Sequence, residues 1–379
     1  MKHNLMRLLL LLLFTSAYAQ DQVNVVKNEE GAKLVVNGED FMINGMNWDY
    51  IPIGTNTVNA KFWEKSDDVI KAGLDTEMSL LKNMGVNVIR QYSGVPAKWM
   101  QYIYENYGIY TMLNHSFGRY GLTLKGVWTP VTIYDDPYTE EFLLNEMKEL
   151  VEGYKDTPGL LLYLLGNENN YGLFWAGAET EDFPDDEGRI NFIGESRGRP
   201  MYRFMNEAAK MMKSMDTSHP VAICNGDVLF IDIVAEECKD VDIYGTNTYR
   251  GVSFGDMFQV VKDKLDMPVM FTEFGADAFN AIENKEDQYS QAYYMVGNWK
   301  EIYENAAGLG KVGNSVGGFT FQFSDGWWKF GFDDRKNADV HDNNASWSNG
   351  GYARDLAKEG ANNMNEEWFG ICAKGATNP

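Results

Sequence analysis

Short apolar runs alternate with longer amphipathic stretches along almost the whole chain, and this alternation restricts the fold more than any other feature. The runs fall at residues 41–47, 86–90, 109–114, 160–165, 221–224, 241–244, 269–271 and 319–323. Helical patterns separate them at 68–84, 96–107, 140–154, 201–215, 228–237, 254–265 and 288–305. In the 140–154 pattern, Leu143, Met147, Leu150 and Val151 share one helix face. The 160–165 run is apolar throughout, as a strand buried on both faces requires. Eight strand–helix units in one chain predict an α/β fold, a (β/α)8 TIM barrel. Asn37-Gly38, between the apolar residues of 33–36 and 41–43, predicts an N-terminal β-hairpin ahead of it. A doubly wound open sheet is the competing fold. It lacks its usual phosphate loop here, since no GxGxxG follows the first strand and no GxxxxGK[ST] occurs.

The segment 1–19 reads as a signal peptide. Lys2 and Arg7 are its basic end, 8–14 its apolar stretch, and Ala17-Tyr18-Ala19 a cleavage site. Residues 20–379 are then expected to be one (β/α)8 domain, secreted or periplasmic. Lys and Arg number 33 against 55 Asp and Glu, a net charge of -22, which becomes -24 without Lys2 and Arg7. That charge repels phosphate backbones and anionic lipid, so neither nucleic acid nor a membrane surface is an expected partner. No stretch beyond the leader is long and apolar enough to insert in a bilayer. Three cysteines, none in a CxxC or Cys/His cluster, exclude a disulfide framework and a structural zinc site. Asp333, Asp334, Asp339 and Asp342 crowd one loop without the spacing or glycine of a calcium loop, so they read as a solvated acidic stretch. No metal and no cofactor is expected.

The long insertions 115–138, 169–200 and 324–352 all follow strands, and a barrel gathers such βα loops at its C-terminal face, where its chemistry is built. Two acids stand at strand ends facing that mouth. Glu168 follows Leu164-Leu165-Gly166-Asn167 after the fourth run, and Glu273 lies in Phe271-Thr272-Glu273-Phe274-Gly275 after the seventh. Strands four and seven oppose each other across an eight-stranded mouth. Two carboxylates flanking one bond are the apparatus of glycoside hydrolysis. A lone strand-end Glu is usually a solvated loop residue; the matched pair is what carries the reading.

With those residues in view, the chain resembles the retaining (β/α)8 glycoside hydrolases of clan A, nearest to the barrel domain of glycoside hydrolase family 2. Six motifs carry the likeness in order: Asn37-Gly38 with 41–47, 86–92 ending in Arg90-Gln91-Tyr92, Gly166-Asn167-Glu168, 242–249 ending in Tyr249, Thr272-Glu273-Phe274-Gly275, and 318–327 ending in Trp327. Family 2 enzymes usually place β-sandwich domains before the barrel, and this chain has no room for them. Arg90-Gln91-Tyr92-Ser93 is also similar to yeast-type β-1,3-glucanosyltransferases.

The resemblance implies roles. Glu273 would be the nucleophile and Glu168 the acid/base. Arg90 would keep Glu273 ionised and Tyr249 would donate to it. Asn167 would hold the sugar 2-hydroxyl, and Trp327 or Trp328 would stack beneath the sugar. His115, after the third strand, and Trp48, after the first, would contact substrate. Tyr50 would line the cleft, and Phe174 and Trp175 would serve outer sugar sites. His219 is expected to be structural. The expected partner is an oligosaccharide or polysaccharide of β-glucan type. A transglycosylase of the same mechanism remains open. An inactive sugar-binding barrel is disfavoured, since both acids are present. A barrel lyase or aldolase is disfavoured too, for want of a strand-end Schiff-base lysine or metal cluster.

Overall fold

The computed structural model describes residues 20–92, 94–174, 186–280, 283–329, 341 and 365–374. Chain order begins with β1 (Val23–Asn28), β2 (Gly31–Val36) and β3 (Glu39–Phe41), then β4 (Ile43–Asn47), α1 (Thr57–Ala60), α2 (Asp67–Asn83), β5 (Val88–Gln91), α3 (Ala97–Tyr107) and β6 (Tyr110–His115). A hairpin of β7 (Leu122–Leu124) and β8 (Val127–Thr129) precedes α4 (Pro137–Tyr154) and β9 (Leu160–Leu165). Next come α5 (Asn169–Gly172), α6 (Glu187–Ile193), α7 (Arg199–Met215), β10 (Val221–Gly226), α8 (Ile231–Glu237), β11 (Ile243–Asn247) and α9 (Met257–Leu265). The order ends with β12 (Val269–Phe274), the short pair β13 (Phe279–Asn280) and β14 (Lys285–Glu286), α10 (Gln288–Glu304) and β15 (Ser315–Thr320).

Eight parallel strands close on themselves in the order β4-β5-β6-β9-β10-β11-β12-β15, the barrel that the eight-run alternation predicts. Its two cores follow from strand alternation. Val88, Met112, Leu162, Leu164, Ala222, Ile243 and Met270 fill the interior. Their chain neighbours Ile89, Leu113, Tyr163, Leu165 and Ile223 pack outward against the helices. The predicted hairpin is present as β2 and β3, with β1 added as a third antiparallel strand. Val23, Leu34 and Val36 from this sheet join the interior core and plug the end of the barrel opposite the βα loops.

Several boundaries depart from the sequence reading, and two have a clear local reason. The last strand spans Ser315–Thr320, about four residues earlier than expected, because Gly317 and Gly318 read as turn residues. They lie within the strand for steric reasons. A Cβ on Gly317 would sit 2.2 Å from the Ile43 carbonyl oxygen, and its φ of 114° disfavours other residues. Helix α4 starts three residues early, at Pro137, where proline suits the first turn and the Asp136 side chain accepts from the amides of Tyr138 and Thr139. The leader 1–19, Trp175 and the acidic residues of 333–342 lie outside the described residues. Among those described, no helix is long and apolar enough to cross a membrane.

Candidate active site

Because β9 and β12 run parallel in one closed barrel, Glu168 and Glu273 emerge at the same end. Glu273 is buried, and three donors hold it. Its Oε1 accepts from Arg90 Nη1 at 2.9 Å and from Tyr92 Oη at 2.6 Å, and its Oε2 from Tyr249 Oη at 2.9 Å. The guanidinium of Arg90 is fully buried and spends its remaining hydrogens on neighbours. Nε donates to Asn114 Oδ1 at 2.8 Å, Nη1 also to the Thr272 carbonyl at 3.1 Å, and Nη2 to Asn167 Oδ1 at 2.8 Å. Burial alone would weaken its charge, but Tyr92, Cys224 and Glu273 around it hold its pKa above the ordinary arginine value. Burial, followed by the carboxylate of Glu273, raises the pKa of both Tyr92 and Tyr249, so both hydroxyls stay protonated as donors.

Glu168 ends the turn after β9 in the left-handed region, φ 56° and ψ 39°, a conformation that costs a non-glycine residue energy. Its backbone amide donates to the Cys224 carbonyl at 3.0 Å, and its Oε1 accepts from Asn247 Nδ2 at 3.0 Å. Asn167 sits between the two acids. Its Oδ1 accepts from Arg90 and, at 3.2 Å, from Asn247, while its Nδ2 donates to Tyr120 Oη at 2.7 Å. One network of amides and a guanidinium thus runs from Glu168 through Asn247, Asn167 and Arg90 to Glu273.

The structure places two of the expected substrate contacts away from the network that joins the two acids. Trp48 is 1% exposed, lies against Phe62 and Trp63, and donates from Nε1 to Glu77 on α2 at 2.6 Å. His115 turns toward α4, its Nε2 3.5 Å from Glu146, while its Nδ1 accepts from the Phe117 amide. Burial lowers its pKa to about 4, so the ring is neutral. Both placements have one cause. Side chains alternate along a strand, and the inward positions at these ends are Asn47 and Asn114. Asn47 donates to the Thr272 carbonyl at 3.1 Å and accepts from Tyr92 at 3.0 Å, and Asn114 holds Arg90. Tyr50 stacks on Phe62 at 4.4 Å and Phe174 on Phe230 at 5.9 Å. His219 is buried against Asp216 at 2.7 Å, in the structural place expected of it.

Of the two strand-eight tryptophans, Trp327 stacks on His341 at 4.5 Å, and His341 in turn on Trp368 at 3.6 Å. Trp328 carries the Lys329 ammonium 4.7 Å from its ring centroid. Lys329 pairs with Glu366. Burial opposes its charge, but Glu366, Tyr120 and Glu273 together raise its pKa above the ordinary lysine value. Asp49, which accepts from Gln91 at 3.1 Å, is pushed up to about 6 by burial. Tyr92, Asn247, Tyr120, Lys329 and Asp49 are site residues that the sequence reading left unassigned. Tyr92 and Asn247 lie inside the family-like stretches 86–92 and 242–249, and their positions two residues past Arg90 and two before Tyr249 are the available signal. Among the described residues, no group of three or more His, Cys, Asp and Glu side chains could hold a metal ion.

An eight-stranded parallel barrel with two glutamates at the ends of its fourth and seventh strands defines a class of TIM-barrel proteins. Residues 26–325 match the model for the glycosyl hydrolases family 2, TIM barrel domain, and the chain belongs to that family. A beta-galactosidase of Arthrobacter sp. (strain B7) is 26% identical over 136 residues, which is 36% of this chain and 13% of that protein. The GH2 beta-galacturonidase from Eisenbergiella tayi superposes with a TM-score of 0.53 at 15% identity, covering 80% of this chain and 47% of its own. A beta-glucuronidase of Bacteroides uniformis gives 0.54 at 13%, covering 78% and 32%. At these identities the two structures speak for the fold. The chain spans less than half the length of each of these three relatives.

Proposed function

We propose that this protein is an exported, retaining glycoside hydrolase that cleaves β-linked glycans by double displacement. The observation that carries the proposal is the setting of Glu273. A carboxylate at the end of strand seven accepts from Arg90, Tyr92 and Tyr249, three donors that fix where its oxygens point, as an attacking nucleophile requires.

In the first step a Glu273 oxygen bonds to the anomeric carbon as the glycosidic bond breaks. Glu168 gives its proton to the departing oxygen. In the second step Glu168 takes a proton from water, the water oxygen bonds to the anomeric carbon, and Glu273 leaves as a carboxylate. Asn167, oriented by Arg90, Asn247 and Tyr120, supplies a contact for the 2-hydroxyl. A β-glucan type of substrate is proposed on the Arg90-Gln91-Tyr92-Ser93 likeness to the β-1,3-glucanosyltransferases.

The test begins with a panel of β-linked oligosaccharides and the matching aryl β-glycosides. Glu273→Ala should be inactive on all of them. Glu168→Ala should lose the oligosaccharides but keep the first step on an aryl glycoside, and azide should release its product as a β-glycosyl azide. Wild-type turnover by both variants would overturn the two-carboxylate mechanism.

A further inference from the structure

We infer that the β7–β8 hairpin is a sugar-binding platform on the leaving-group side of the cleavage point, with Trp128 stacking on the first sugar beyond the scissile bond. This rests on the glycosidase reading above. The hairpin grows from the loop after β6, and β6 pairs directly with β9, the strand that carries Glu168. Its one aromatic residue, Trp128, therefore lies on the strand-four side of the barrel mouth, the side of Glu168, while Glu273 ends strand seven. Glu168 would protonate the oxygen that joins the two sugars, so a surface running outward from its side of the mouth meets the sugar that departs.

That surface is continuous with the site. Tyr120 accepts from Asn167 at 2.7 Å, and the Arg119 guanidinium lies 5.1 Å from its ring centroid while Arg119 Nε donates to the Asn167 carbonyl at 2.9 Å. One residue on, Gly121 lies so close to Trp128 that a Cβ there would meet the indole six-membered ring at 2.8 Å. Trp128 is thus seated on bare backbone next to Tyr120, yet it remains 57% exposed. A large aromatic seated beside Tyr120, which bonds Asn167 next to the candidate acid, with an open face, suits the apolar C–H face of a pyranose. Its exposed neighbour Tyr120 offers a hydroxyl for the sugar hydroxyls at the rim. The hairpin itself is ordered by the Leu122–Thr129, Thr123–Trp128 and Leu124–Val127 pairs, and Lys125 at its tip reaches over the ring of Tyr138.

The experiment compares the full chain with its Trp128→Ala and Trp128→Phe variants. The probes are β-linked gluco-, galacto-, manno-, xylo- and glucurono-oligosaccharides of two to six units, together with the β-glycosyl fluoride of whichever sugar is released. Fluoride is too small a leaving group to touch the hairpin. Trp128→Ala should lower kcat/KM on the oligosaccharide about tenfold and leave the fluoride within about twofold, with Trp128→Phe between wild type and Trp128→Ala. An unchanged oligosaccharide rate, or an equal loss on the fluoride, overturns the platform while leaving the glycosidase reading intact. If the wild type cleaves no member of the panel, the glycosidase reading falls and the platform with it. Trp128 is an exposed residue, so an unchanged melting temperature is expected in both variants.

Discussion

Asn247 Nδ2 lies 3.0 Å from Glu168 Oε1 and 3.2 Å from Asn167 Oδ1, so one amide hands its two hydrogens to the candidate acid/base and to the side chain that would grip the substrate. Its own Oδ1 accepts from Thr272 Oγ1 at 2.6 Å, which fixes which way the amide faces. Asn247→Ala should therefore misplace Glu168 without touching Glu273. We expect kcat/KM to fall roughly tenfold or more on substrates with poor leaving groups and much less on activated aryl glycosides. An equal loss on both would remove the positioning role.

Tyr92 offers one hydroxyl hydrogen to two acceptors, Glu273 Oε1 at 2.6 Å and Asn47 Oδ1 at 3.0 Å. A hydrogen bond to a charged group contributes about 1.5–3 kcal/mol. Tyr92→Phe should then lower kcat/KM by roughly 10–100-fold while the circular dichroism spectrum stays that of the wild type. Full activity in the variant would mean that Arg90 and Tyr249 alone suffice.

Removing the cation should damage the fold as well as the chemistry. Arg90→Met would leave Glu273 buried beside Tyr92 without its counter-charge and strip Asn114 and Asn167 of a donor. Breaking a buried ion pair in this way costs about 3–5 kcal/mol. Urea denaturation should show a loss of that size, and a midpoint within experimental error of wild type would contradict it.

A fourth prediction concerns pH and a group away from the mouth. Burial pushes Glu77 up to about 7, and likewise Asp325 to about 7 and Asp49 to about 6. A carboxyl whose folded pKa exceeds its unfolded value binds more protons in the folded state between the two values. Stability therefore falls as pH rises across that window, here from about 4.5 to 7 for Glu77. Glu77→Gln keeps an oxygen for the Trp48 indole but cannot ionise. Its urea midpoint should drop less than that of wild type between pH 5 and pH 8 and should stand higher at pH 8. Parallel pH profiles would show that Glu77 does not titrate in this range.

The barrel was legible because its strands are buried on both faces and its helices on one, so two different hydrophobic periods mark them. Leu160–Leu165 carries that signal without interruption, and its bounds match residue for residue. Val23–Asn28 went unseen because most of it is solvated and only Val23 is buried. That the two glutamates share one end of the barrel was readable from their strand-end positions. The parity of the strand ends was not: Trp48 and His115 have the residue types that contact sugars, but each lies one residue past the inward-facing asparagine. Tyr120 lay in no motif, and although Asn247 lies within 242–249, the contacts of both, with Asn167 and Glu168, come from distant parts of the chain.

The family match stops at residue 325, but the folded unit does not. Phe369 is buried against both Phe321 and Tyr249, with ring centroids 5.8 Å and 5.6 Å apart, and the backbone of 369–372 bonds along 322–325. Lys374 then reaches the Ile51 carbonyl near the end of strand one. Tyr249, a donor to Glu273, thus has its ring wedged by a segment some forty residues past the family boundary. Anyone grafting this barrel into another protein, or joining it to a fusion partner, inherits that dependence. A transplant cut at the family boundary would carry both glutamates and lose the wedge that aims the tyrosine at one of them.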